Sequence, residues 1–156
     1  MKEIEINATV DAAMRAHAEA TYPDECCGIL VDRGRGIEVV QVTNVQNERH
    51  AQDPERYPRT ARIAYSMGQE AVPLLLDAER GALRLVAFYH SHPEHEAYFS
   101  DEDKLAALGG WDEPNYPDTA QIVFSVRDGQ ARYAKAFAWD EAARDFLEIR
   151  LLVAGR

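Results

Sequence analysis

The chain is expected to fold as an α/β protein, with a mixed sheet covered by helices. Three features predict this: an amphipathic stripe near the N-terminus, two β-rich segments joined by a glycine-containing turn, and a run of strands at the C-terminal end. The chain has 156 residues, and 46% hydrophobic with 28% charged residues is an ordinary globular composition. Residues 1–156 are therefore expected to form a single domain.

Val10, Ala13, Met14 and Ala18 fall at i, i+3, i+4 and i+8, which predicts a helix over residues 10–21 that Pro23 brings to an end. His17 interrupts that stripe and reads as a structural or solvated residue. Residues 26–31 form an apolar run and residues 37–45 are rich in β-branched side chains. With Arg33-Gly34-Arg35-Gly36 between them, they predict a hairpin. Residues 47–60 are polar, hold two prolines and predict a long loop, a length often tied to function. Residues 63–80 carry a helical pattern with Gly68 and Pro73 in its middle.

Residues 83–89 predict a buried strand, residues 101–108 a helix opening after Ser100, and residues 109–118 a loop with Trp111. Strands follow at 120–126, 131–139 and 146–153, the first two joined by a turn at Asp128-Gly129. Phe137 and Trp139 lie two apart on a strand and are expected in the core.

Seventeen Lys+Arg against 27 Asp+Glu give a net charge of −10. Without a basic cluster there is no electrostatic basis for a nucleic-acid or anionic-membrane partner. Aliphatic runs such as Leu74-Leu75-Leu76 fall far short of the ~18 residues a span requires. The N-terminus lacks the apolar core of a signal peptide, so a cytoplasmic location is expected. Cys26 and Cys27 are neighbours, about 3.8 Å apart at Cα, below the usual disulfide range of about 4.4–6.8 Å. Both are read as reduced, and no adjacent histidine is set up to activate either as a nucleophile.

The chemistry concentrates at Phe88-Tyr89-His90-Ser91-His92-Pro93. Side chains two apart on a strand share a face, so His90 and His92 can converge on one ion. Ser100 and Asp103 lie three apart at a helix start and share a side. Two imidazoles and a carboxylate make three protein ligands and leave a fourth zinc position for water, the pattern of catalytic zinc. Ser100-x-x-Asp103 also fits a helix N-cap, and capping is compatible with ligation. Ser100 can supply a hydroxyl donor, and Glu25 is one of several candidates for a carboxylate base. His95, between the ligands, reads as a solvated loop residue.

The composite His90-x-His92-Pro93-x6-Ser100-x2-Asp103, with Glu25 far upstream, resembles the JAMM (MPN+) zinc metalloprotease motif. Pro23-x-Glu25-Cys26-Cys27-Gly28-Ile29-Leu30 and Tyr116-Pro117-Asp118 are similar to the bacterial branch of that family. The resemblance implies a three-layer α/β/α sandwich with a mixed curved sheet, the MPN/JAB fold related to cytidine deaminases. It implies His90, His92 and Asp103 as zinc ligands, Glu25 as general acid/base and Ser100 as oxyanion stabiliser. It further implies amide or isopeptide hydrolysis after the C-terminal Gly-Gly of a ubiquitin-like sulfur carrier. The alternative is a non-catalytic MPN-type module that binds a ubiquitin-like or peptide tail. The paired deaminase signature is not met, because no Cys-x-x-Cys accompanies a His-x-Glu, and His-Glu-x-x-His is absent as well. Asn44, Arg56 and Tyr57 are candidate substrate-tail contacts, and loops 47–60 and 109–117 are candidate groove walls.

Overall fold

Strict alternation in Glu3-Ile4-Glu5-Ile6 buries the two isoleucines and exposes the two glutamates, which makes a half-buried strand of the N-terminus. This is β1 (Glu3–Asn7) in a computed structural model that describes residues 1–155. The elements that follow are α1 (Ala8–Thr21), β2 (Cys27–Asp32), β3 (Ile37–Val42), α2 (Gln46–Gln52), α3 (Val72–Glu79), β4 (Arg84–Pro93), α4 (Asp101–Leu108), β5 (Ala120–Arg127), β6 (Gln130–Asp140) and β7 (Asp145–Ala154). The seven strands make one mixed, curved sheet in the order β1-β7-β6-β5-β4-β2-β3. Only β1–β7 and β4–β5 pair in parallel.

The sheet is covered on both faces, as the α/β/α expectation requires. Val10, Met14 and Ala18 of α1 join Leu30, Ile122, Phe124 and Val126 in one core cluster. On the opposite face Leu74 of α3 packs with Ile29, Val31 and Leu85. A third cluster gathers Phe99, Val123, Phe137, Trp139 and Phe146 against the end of α4, which places Phe137 and Trp139 in the core as expected. No helix among the described residues is long and apolar enough to cross a membrane.

Four local expectations need correction. The N-terminal strand β1 was not expected. The helix expected over 63–80 is an α-helix only from Val72, after a 3-10 turn at Gln69–Ala71. Pro73 sits in the first helical turn, where its missing N–H costs nothing, and not in the middle of a longer helix. The segment before it runs beside the end of β3, with Asn44 bridging Met67 and Gly68 N donating to Thr43 O at 2.9 Å. The start of the loop expected at 47–60 is taken up by α2, whose seven residues open at Gln46, where Asn44 Oδ1 accepts Gln46 N at 3.0 Å. Finally, β3 ends at Val42, short of residue 45.

Candidate metal centre and its cleft

The strand that bears the two histidines is central. β4 is flanked by β2 and β5, with His90 opposite Cys27 on one side and Val123 on the other. Alternation along β4 sends Tyr89 toward α1, where His17 Nδ1 meets its hydroxyl at 2.8 Å. His90 and His92 project to the other face. The β2–β4 register continues past the end of β2: Cys26 N donates to Ser91 Oγ at 2.8 Å and Ser91 N to Cys26 O at 3.2 Å. One residue further back, Glu25 turns its N–H to Ala61 O at 2.7 Å and lines the same cleft as His92.

Asp103 arrives from α4. Ser100 caps that helix, its Oγ accepting Asp103 N at 3.1 Å while Ser100 N donates to Asp103 Oδ2 at 3.0 Å. Gly109, at φ 59°, closes the other end in the left-handed region that glycine tolerates. The cap aims Asp103 Oδ2 at the histidines, 3.2 Å from His90 Nε2 and 3.3 Å from His92 Nε2, with the two Nε2 atoms 3.1 Å apart.

This triangle fits a metal. A tetrahedral ion with bonds of about 2.0–2.1 Å has ligand–ligand edges of about 3.3–3.4 Å. With both imidazoles neutral and protonated at Nδ1, all three atoms carry lone pairs, and three acceptors facing one another call for a cation. The His92 tautomer is fixed for this role, because its Nδ1 donates to Glu96 O at 2.9 Å and leaves Nε2 to ligate. Packing holds His90: Tyr65 stacks on its ring at 4.7 Å and Phe99 lies 6.4 Å away.

Burial pushes His90 below the ordinary histidine range, toward the neutral form. Burial also opposes charge on His92, but hydrogen bonding to Asp103 and the field of Glu25 raise it overall. Burial disfavours ionised Asp103 as well, yet the two imidazoles and the Ser100 N–H hold it well below the usual carboxylate range. Glu25 is only 5% exposed, and burial pushes its carboxyl up to about 8, the Asp103 charge adding to the rise while His92 and Arg59 oppose it.

The cluster opens into a cleft of about 370 Å³ lined by Glu25, Arg59, Tyr65, His92, Ser100 and Asp103, with Tyr98, His95 and Glu102 nearer its mouth. Ser100 Oγ accepts the cap hydrogen bond, and its hydroxyl hydrogen is directed to an acceptor lining the cleft, in the free protein the Glu102 carboxylate. The structure thus brings together Glu25, Ser100, His90, His92 and Asp103. His95 is exposed, at the rim. Cys26 and Cys27 are free and buried, and burial lifts the Cys26 thiol to about 12, which suits neither for attack.

The three residues expected to touch a substrate tail lie elsewhere. Asn44 Nδ2 donates to Glu25 O at 2.9 Å and Ala64 O at 3.1 Å, while its Oδ1 accepts Gln46 N and Ser66 N. Its amide is used within the chain and positions the backbone of Glu25. Arg56 is exposed and lies over the Tyr57 ring at 5.4 Å, and neither lines the cleft. The residue of that loop that does is Arg59. Of the second expected wall, Pro114, Asn115 and Tyr116 line an adjoining cavity of about 310 Å³ that shares Tyr65 and Ala106 with the cleft. Arg59, Tyr65 and Glu102 carried no motif signal. Their places depend on contacts between distant segments.

Residues 7–139 match the family model described as prokaryotic homologs of the JAB domain. The chain belongs to that family. The CysO-cysteine peptidases of Mycobacterium tuberculosis and Mycobacterium bovis are 32% identical to it over 127 residues, spanning 79% of this chain and 73% of theirs. Two solved structures share the fold. One, from Desulfitobacterium hafniense, has a TM-score of 0.67 at 20% identity and covers 97% of this chain and 93% of its own. The other, from Salinibacter ruber, has a TM-score of 0.59 at 21% identity, with coverage of 99% and 92%.

Proposed function

We propose that the chain is a zinc-dependent peptidase that hydrolyses the amide bond following the C-terminal Gly-Gly of a ubiquitin-like sulfur-carrier protein. The convergence of buried His90 with His92 and Asp103, which line the cleft that also holds Glu25 and Ser100, is the observation that carries this reading. Membership of the JAB-domain family supports it, as does the likeness to peptidases named for a CysO-cysteine substrate.

His90, His92 and Asp103 would hold the metal. Zinc bound there supplies Lewis-acid polarisation of a carbonyl and a water of lowered pKa. Glu25, with its carboxyl near neutrality, takes a proton from the attacking water and delivers it to the leaving nitrogen. The C–N bond breaks, the water oxygen stays on the glycine carbonyl carbon, and the amine departs protonated. The Ser100 hydroxyl donates to the carbonyl oxygen as charge develops there. A di-glycine tail suits the cleft because a chain without side chains can lie extended in a narrow passage.

The test is to incubate zinc-loaded protein with ubiquitin-like carriers of the same genome that bear a Gly-Gly-Cys extension. Loss of the added cysteine by mass spectrometry is expected. Tail binding without hydrolysis would replace this reading with that of a binding module. Cleavage that persists with bulky residues in place of both glycines would overturn the narrow-passage argument.

A further inference from the structure

Among the described residues lining the cleft there is one arginine, Arg59, and no lysine. Its backbone is fixed from below. Buried Gln46 donates Nε2 to Arg59 O at 2.8 Å, while its Oε1 accepts the Ser66 hydroxyl at 2.7 Å. Two residues on, Ala61 N donates to Asn47 Oδ1 at 2.8 Å and Ala61 O accepts Glu25 N at 2.7 Å. The segment that carries the guanidinium is thus tied directly to the backbone of Glu25.

The side chain already holds a carboxylate. Arg59 Nη2 donates to Glu102 Oε1 at 2.6 Å across the cleft mouth, a single bond from a group with five donors. Glu102 lies in the first turn of α4, two residues after Ser100, and both partners are substantially exposed. An exposed pair of this kind contributes little stability and exchanges easily for another carboxylate. Every other ionisable group lining the cleft is a carboxylic acid, a histidine or a tyrosine, and the chain carries a net charge of −10. Arg59 is therefore the one permanently charged side-chain cation that this cleft offers a negatively charged leaving group.

We propose that Arg59 binds the α-carboxylate of a single amino acid leaving from the carrier's di-glycine, with Glu102 occupying that place in the free protein. The proposal rests on the peptidase reading and names its leaving group: a one-residue C-terminal extension, not the side chain of an internal lysine. The guanidinium fork matches a carboxylate in two parallel hydrogen bonds, which a carboxamide cannot reproduce.

The test reads binding, so it does not depend on turnover. Synthetic peptides ending Gly-Gly-Ser, the serine keeping thiols away from the metal ligands, are made as free acid and as C-terminal carboxamide. They are titrated calorimetrically into zinc-loaded Glu25→Gln protein, with and without Arg59→Gln or Arg59→Lys. The acid is expected to bind about 10-fold to 100-fold more tightly than the amide. Arg59→Gln should collapse that ratio toward one, and Arg59→Lys should keep part of it. Equal binding of acid and amide, or a preference that survives Arg59→Gln, overturns the proposal. A preference lost on metal removal but kept in Arg59→Gln assigns the carboxylate to the metal ligands and also overturns it. Hydrolysis of both peptides at equal rates by wild-type protein would refute Arg59 and leave the peptidase reading standing. Failure to hydrolyse either one, with the acid preference intact, would overturn the peptidase reading and with it the leaving-group assignment, while Arg59 would remain a binder of the tail's terminal carboxylate.

Discussion

The Oδ2 atom of Asp103 that accepts the Ser100 N–H at 3.0 Å is the same atom that faces both histidines. The start of α4 and the metal centre are therefore one structure. A helix cap, ordinarily a device of local stability, here sets the direction of a ligand.

Ser100 consequently has two separable roles. Ser100→Ala removes the cap acceptor and the cleft hydroxyl together, and is expected to cost about 0.5–2 kcal/mol in stability. Ser100→Gly removes the same hydroxyl but costs only a few tenths of a kcal/mol, since glycine is tolerated at an N-cap. Both should lose about 100-fold to 1,000-fold in kcat if the hydroxyl serves the oxyanion. Denaturant melts paired with peptidase assays check this. A Ser100→Gly variant with near wild-type turnover would leave Ser100 as a cap only.

The His92 tautomer depends on a turn that is itself held from outside. Glu96 O accepts His92 Nδ1–H at 2.9 Å, and the Glu96 side chain is held by the Tyr133 hydroxyl and by Arg127 Nη2 at 2.7 Å. Tyr133→Phe should loosen that turn and lower zinc affinity by about tenfold, a cost typical of groups behind a ligand. A His90→Ala, His92→Ala double variant should retain no stoichiometric zinc. For wild-type protein, retention should fall as pH drops through the histidine range, because protons and the ion compete for the same lone pairs. Chelator competition at several pH values measures all three. Unchanged zinc content in the double variant would remove the site.

Some of this was legible in the sequence and some was not, for a physical reason. His90 and His92 two apart on a strand, and Ser100 and Asp103 three apart at a helix start, are spacings that local geometry converts into a shared face. The rest is set by contacts between distant segments. Arg59 is placed by Gln46 and Tyr65 by stacking on His90, contacts that neither residue's neighbours in sequence foretell. The misread helix at 63–80 has the same origin: its first part is recruited by Asn44 and Thr43 at the end of β3. The missed strand β1 did carry a signal, the Ile4/Ile6 alternation, but its partner β7 lies at the other end of the chain.

Close packing between β2 and β4 gives a prediction unrelated to chemistry. Gly28 pairs with Tyr89, and a Cβ at Gly28 would stand 2.3 Å from the Tyr89 ring. That ring is fully buried and its hydroxyl meets His17, so it has little room to yield. Gly28→Ala is expected to destabilise the protein by about 1–3 kcal/mol through overpacking. Gly28→Ala combined with Tyr89→Leu should recover part of that loss by vacating the contact. Additive losses in the double variant would show that the ring is not the obstacle.

The raised pKa of Glu25 makes a prediction for the metal-free protein whose sign is fixed by proton linkage. In the unfolded chain this carboxyl ionises near its ordinary 4.5, whereas in the folded protein burial holds it protonated to about 8. The folded state thus keeps a proton that the unfolded state has released. Stability linked to Glu25 is fully present below pH 4.5, declines as pH rises from there to about 8, and is constant above. Glutamine cannot ionise and carries no such penalty. Glu25→Gln should therefore match wild type at pH 4 and exceed it by up to a few kcal/mol at pH 9, measured as denaturant midpoints in chelator. Groups away from the site contribute equally to both proteins and cancel in the difference, which leaves Glu25 and its coupling to His92, Asp103 and Arg59. A difference independent of pH would mean that Glu25 is ionised in the folded state throughout. It would then lack the neutral-range proton affinity that the acid/base role requires, whatever the Gln variant does to turnover.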